Sequence, residues 1–192
     1  MKDKLAKIIT FVFDPTVIVP LFFAILISET DLSPSQMKII MPFLFLIDLV
    51  LPASIFLLFL REGWVSDWEI SNRKERFKLY AFISLFWFIG SGVVYFWGTK
   101  LLFQFHLIFT LSFFIATIIT FFWKISMHVL VYTTVVILLS LLIPRFCWLY
   151  FFLPIIAWSR FIRHKHTPGQ LLGGFLLAAT FIFLSFRLFG YL

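Results

Sequence analysis

The chain has 192 residues, 62% hydrophobic, 21% aromatic and only 13% charged, with 29 phenylalanines. A water-soluble domain averages about 45–50% apolar and about 25% charged residues and could not hide this much apolar surface, so the bilayer is the main solvent for which the sequence is built. The formal charge of +7 comes from 16 basic against 9 acidic side chains, and the single Cys147 excludes an intrachain disulfide and a cysteine-built zinc or iron–sulfur site.

A transmembrane helix needs about 20 mostly apolar residues. Stretches near that length predict an all-α, polytopic membrane bundle of six to seven spans: 8–28, 39–60, 79–97, 101–123, 128–143, 146–158 and 170–188. The fifth and sixth are short, and Pro144 between them marks a tight helical hairpin. The first is ambiguous. Asp14-Pro15 reads as a helix cap followed by a first-turn proline, so residues 2–13 could form a separate interfacial helix, although a single first span is the preferred reading. There is no internal repeat or soluble appendage. The chain is expected to be one integral membrane domain, 1–192, with a functional core over about 61–190.

Lysine and arginine are retained on the cytoplasmic side. With the N-terminus inside, the inside set is Lys2, Lys4, Lys7, Arg61, Arg73, Lys74, Arg76, Lys78, Lys124, Arg160, Arg163 and Lys165; the outside set is Lys38, Lys100, Arg145 and Arg187. The excess survives removal of the four basic residues best placed for chemistry, Arg73, Arg76, Lys124 and Arg160.

Three polar clusters interrupt the apolar pattern, at 61–78, 123–128 and 158–170. Two spans separate each from the next, so all three are expected on one membrane face, and by charge that face is cytoplasmic. Together they hold Arg73, Arg76, Lys124, Ser126, His128, Ser159, Arg160 and His166. Guanidinium groups bind tetrahedral oxyanions in bidentate fashion, so a set rich in arginine, with two histidines and hydroxyls, suits a phosphate. A basic face that only sets topology and meets anionic headgroups would explain the charges but not the histidines. Thr167-Pro168-Gly169-Gln170 predicts a capping box, which sets His166 one residue before a helix N-terminus, where an anion is favoured. His164 reads as a solvated loop residue. Asp48 has no evident partner, and Gln104 and His106 read as hydrogen-bonding groups inside the bundle.

Ser159-Arg160, five residues, then His166 resembles the third signature of the type 2 phosphatidic acid phosphatase superfamily, Ser-Arg-x5-His-x3-Asp. Ser126-Met127-His128 resembles its second, Pro-Ser-Gly-His, and Arg76 stands for the arginine of its first, Lys-x6-Arg-Pro. The chain departs from the pattern at Glu69, Phe77, Ile125, Met127 and Gln170, the last in place of the aspartate that orients the nucleophilic histidine. The strings Asn-Arg-Lys-Glu-Arg, Trp-Lys-Ile-Ser-x-His and His-Thr-Pro-x-Gln look like a divergent prokaryotic branch of that superfamily.

The resemblance implies a lipid phosphatase acting on a phosphate monoester or diphosphate, of the phosphatidate, phosphatidylglycerophosphate or polyprenyl diphosphate class. It makes His166 the nucleophile, forming a phosphohistidine, and His128 the acid that protonates the leaving alkoxide and later the base that activates water. Arg76, Arg160, Arg73 or Lys124, Ser126 and Ser159 would hold the phosphate, and Gln170 would orient His166. No metal or other cofactor is expected. The expected partners are a lipid phosphate and the surrounding membrane lipids, not nucleic acid, in a prokaryotic cytoplasmic membrane; the oligomeric state is left open. Two other readings compete: a catalytically silent binder of lipid phosphates, made credible by Gln170, and a small lipid transporter using Asp48 and His106.

Overall fold

In the computed structural model, which describes residues 1–191, the chain is 83% helical, and the described residues include no strand. In chain order the helices are α1 (Lys2–Val12), α2 (Pro15–Ser28), α3 (Pro34–Leu44), a π-helical turn (Phe45–Val50), α4 (Leu51–Arg61), α5 (Arg73–Trp97), α6 (Lys100–Phe122), α7 (Met127–Leu142), a 3₁₀ segment (Pro144–Phe151), α8 (Phe152–Ile162) and α9 (Pro168–Phe189).

Among the described residues six stretches are long and apolar enough to cross a membrane: Lys2–Ser28, Pro34–Arg61, Arg73–Trp97, Lys100–Phe122, Pro144–Ile162 and Pro168–Phe189. The expected fifth span is instead the shorter apolar helix α7. At 16 residues it extends only about 24 Å, against a hydrocarbon core of about 30 Å. Its sequence is apolar all round because it is packed all round: every residue from Met127 to Val136 is buried. The sixth expected span starts earlier than its sequence suggested, with the 3₁₀ segment leading into α8.

Local chemistry sets the boundaries. Ser33 and Thr167 each close a full capping box with the glutamine three residues on, each followed by a first-turn proline. Asn72 and Thr99 cap α5 and α6 through their side-chain oxygens. Gly190, at φ 78°, ends α9 in the left-handed conformation that glycine adopts without strain. The first expected span, 8–28, lies within one apolar stretch long enough to cross a membrane, Lys2–Ser28, but that stretch is two helices, with a break at Phe13-Asp14. There Asp14 Oδ1 accepts from the Thr16 backbone N–H at 2.9 Å and the Thr16 hydroxyl at 2.6 Å, and Pro15 begins the second helix.

The chain divides into two compact units, one formed by Met1–Leu26 with the residues from Lys124 onward, the other by Ile27–Trp123. In the first, α7 packs on α9, on the 3₁₀ segment and on α8, and α1 packs on α8. Its core joins Val129, Tyr132, Val136, Ile156 and Leu171, with Phe13 set edge-on to Tyr132 at 5.3 Å. The hairpin expected at Pro144 is present, tied by Tyr132 donating to the Leu149 carbonyl at 3.0 Å. In the second unit α5 and α6 form the main helix pair, with Trp87 packed on Phe109 and Phe113.

Candidate functional site

The third polar cluster is ordered by its own capping box. Thr167 Oγ1 accepts from Gln170 N at 3.4 Å, while Gln170 Oε1 accepts from Thr167 N at 3.2 Å. Because that backbone N–H can only donate, the Gln170 atom facing it is the amide oxygen. The same oxygen lies 3.2 Å from His166 Nδ1. It cannot donate, so Nδ1 carries the proton and the lone pair of the neutral imidazole falls on Nε2. Gln170 therefore both caps α9 and orients His166, which is 5% exposed.

The second cluster meets the third through the backbone. Ser126 N donates to the Gln170 carbonyl at 3.3 Å, which sets the start of α7 against the first turn of α9. Gly174 makes the approach possible, because a Cβ at that position would lie 2.8 Å from the Ser126 carbonyl oxygen and 3.3 Å from Leu130 N. His128, in the first turn of α7, and His166, just before α9, thus stand at neighbouring helix starts. Ser126 is fully buried, and its hydroxyl has no hydrogen-bond partner among the described residues.

Arg160, near the end of α8, is 1% exposed, and its guanidinium donates to Thr10 Oγ1 at 3.4 Å. Ser159, also buried, donates to the Ile156 carbonyl at 2.8 Å and lies 3.5 Å from the Thr10 hydroxyl. Thr10 and Ala6, one turn apart on α1, form its buried face and let α1 approach α8 closely.

An open depression of about 370 Å³ lies over this region, lined among others by Lys124, His164, Lys165, His166, Thr167 and Gln170. Ser126, His128, Ser159 and Arg160 are buried and do not line it. His164, expected to be solvated, is exposed, with φ 52° in the turn after α8.

The remaining two expected phosphate ligands belong to the second unit. Arg76 is 3% exposed and donates through Nε to the Ile70 carbonyl and through a terminal nitrogen to the Glu69 carbonyl at 3.5 Å. Arg73 donates to the Phe121 carbonyl at 2.7 Å.

Sequence reasoning missed two residues of the first unit. Asp14 is the cap that was expected, but its second oxygen, Oδ2, lies 3.3 Å from His128 Nε2. The signal was present, since a carboxylate within an apolar stretch is costly and marks function, yet nothing local named its partner. Thr10 carried no signal at all. Asp48 and His106, in the second unit, prove to be partners of each other, with Oδ2 and Nε2 2.8 Å apart.

Comparison with family models, with curated proteins and with solved structures finds no significant match to this chain.

Proposed function

We propose that the protein is a membrane lipid phosphatase that hydrolyses a lipid phosphate monoester or diphosphate through a phosphohistidine. The observation that carries the reading is the meeting of two distant polar clusters at neighbouring helix starts, each bearing a histidine, with the buried Arg160 in the same unit. The positive dipole ends of the two helix N-termini favour a bound anion there. Fixed cations and dipoles in a site of low dielectric stabilise the charge that develops on a transferring phosphoryl group.

In the first step His166 Nε2 attacks phosphorus, the bond from phosphorus to the lipid oxygen breaks, and the alkoxide takes a proton from His128. In the second, water loses a proton to His128 as its oxygen attacks phosphorus, and the P–N electron pair returns to Nε2. From a monoester the products are the lipid alcohol and inorganic phosphate. From a diphosphate the bond that breaks joins the terminal phosphorus to the bridging oxygen, and the lipid monophosphate takes the place of the alkoxide as leaving group. The products are then the lipid monophosphate and inorganic phosphate. Lys124 and Arg160 supply cationic charge, Ser126 and Ser159 supply hydroxyls, and Gln170 holds the tautomer that exposes the lone pair of Nε2.

The test is phosphate release by the detergent-purified protein from a panel of phosphatidate, phosphatidylglycerophosphate and polyprenyl diphosphate. The reading predicts release from at least one of them, persisting in EDTA and blocked by vanadate. Turnover lost in EDTA and restored by a divalent cation would reject the histidine mechanism in favour of metal-assisted hydrolysis. One observation favours a second reading: His166 is supported by an amide and not by a carboxylate. A silent binder would retain lipid phosphate without releasing phosphate.

The excess of lysine and arginine on one set of loops supports a cytoplasmic site, and the resemblance to a prokaryotic branch supports a prokaryotic membrane. Cysteine in place of Lys165, in a Cys147→Ser background, should then resist an impermeant thiol reagent in intact cells and react after lysis. Labelling from outside would reverse the orientation.

A further inference from the structure

Among the described residues of the first unit, Asp14 is the carboxylate seen beside an imidazole, and its two oxygens do different things. Oδ1 caps α2 through the Thr16 backbone and hydroxyl, while Oδ2 faces His128 Nε2 at 3.3 Å, the imidazole 10% and the carboxylate 17% exposed. Capping alone needs one oxygen and no charge, and serine, threonine or asparagine would serve as well. An ionised side chain in an otherwise apolar stretch is expensive, so the second oxygen calls for a use of its own.

We infer that Asp14 is a positioning residue that keeps His128 protonated as the proton donor of the hydrolysis proposed above, an inference that rests on that reading. A carboxylate 3.3 Å from an imidazole nitrogen favours the imidazolium through its charge, and on this proposal the Nδ1–H is the proton given away. His166 has the opposite support. Its partner is the neutral Gln170 oxygen, which fixes a tautomer without favouring the cation. The two imidazoles are thereby divided into a charged donor and a neutral nucleophile, which is the division that the first step requires.

The surrounding charges make the carboxylate necessary. Toward this end of α7 the packed elements bring Arg160 from α8 and His166 from the approach to α9, with Lys124 just before α7 itself and Arg163 and Lys165 beyond α8. All are cationic or basic, and like charges oppose protonation of His128. Asp14 offsets them. During the reaction it keeps its negative charge while the proton at Nδ1 passes to the lipid alkoxide and is regained from water.

The experiment uses the full chain in detergent, labelled in its histidines, with the His128 imidazole titrated by NMR and phosphate release from phosphatidate vesicles measured against pH. Asp14→Asn keeps the cap oxygen and removes the charge; Asp14→Ser does the same should the asparagine variant fail to fold. Thr16→Ala weakens the cap and keeps the charge. The expected result is a His128 midpoint lowered by about one pH unit or more in Asp14→Asn, with the alkaline limb of kcat lowered in step and both unmoved in Thr16→Ala. A His128 titration that is the same in wild type and Asp14→Asn, in a wild type that releases phosphate, overturns the role of Asp14 alone. A wild type that releases no phosphate from phosphatidate, phosphatidylglycerophosphate or polyprenyl diphosphate overturns the phosphatase reading and the donor role with it, whatever the titration shows.

Discussion

Among the described residues are two aspartate–histidine pairs, one in each unit, and they are built differently. Asp48 and His106 are 2.8 Å apart with side chains 4% and 0% exposed. The other nitrogen of His106 is met by the Ser91 hydroxyl at 2.9 Å and the Thr110 hydroxyl at 3.4 Å, and Trp87 donates to the Asp48 carbonyl at 3.1 Å. A π-helical turn carries Asp48, and Gly90 leaves room for it, since a Cβ there would lie within van der Waals overlap of its Oδ1. This pair is closed and ties the π turn to α5 and α6. Asp14 and His128 stand 3.3 Å apart, less buried, at a helix break and in a first helical turn. The same two residue types thus serve packing where both imidazole nitrogens are committed to the helices around them, and serve proton transfer, as we propose, where the imidazole stands at a helix start that neighbours the start of α9.

The comparison is most sharply broken by removing one histidine from each unit. His166→Ala should lower phosphate release by at least about 10³-fold, as loss of a nucleophile does elsewhere, while leaving the thermal midpoint in detergent almost unchanged. His106→Ala should do the reverse. It leaves the buried Asp48 carboxyl without its hydrogen-bond partner, which costs about 1–3 kcal/mol of stability, and keeps turnover per folded molecule near wild type. Equal loss of turnover in both variants would erase the distinction.

Two glycines sharpen it further. Gly90→Ala drives a Cβ into the Asp48 carboxylate and should cost about 1–3 kcal/mol, read as a lowered midpoint, with turnover kept. Gly174→Ala meets a backbone carbonyl at 2.8 Å, which cannot swing aside like a side chain. It should part α7 from α9 and lower phosphate release by about 10–100-fold, the scale of a 1 Å misplacement. The smallest effect is expected of Thr10→Val, which removes the hydroxyl that meets Arg160 and Ser159 at a cost of about 1 kcal/mol; a KM raised a few-fold with kcat held would place that cost on phosphate binding.

What the sequence made legible was what is local. The capping box at Thr167-Gln170 could be read because all its atoms lie within four residues, and the hairpin because Pro144 cannot continue a helix. The identical signature at Ser33-Pro34-Ser35-Gln36 went unread, so α3 begins five residues before the expected 39. Apolar runs located the spans but could not tell a lipid-facing helix from α7, which is enclosed by protein. Partnerships between distant segments were not legible: Asp48 and His106 were both marked as costly intramembrane groups, yet only folding pairs them, and Asp14 looked complete as a cap. The π turn at Phe45–Val50 left no pattern in its residues.

The central claim is a covalent bond between His166 and phosphorus. Wild-type protein mixed with a lipid phosphate carrying radioactive phosphorus and quenched in alkaline detergent should retain label that is stable to base, lost in acid and confined to the peptide containing His166. In His128→Gln, which lacks both the acid of the first step and the base of the second, the label should form more slowly and, once formed, persist longer than in wild type. Phosphate release with no labelled histidine, or with label on a serine or a carboxylate, would contradict the account.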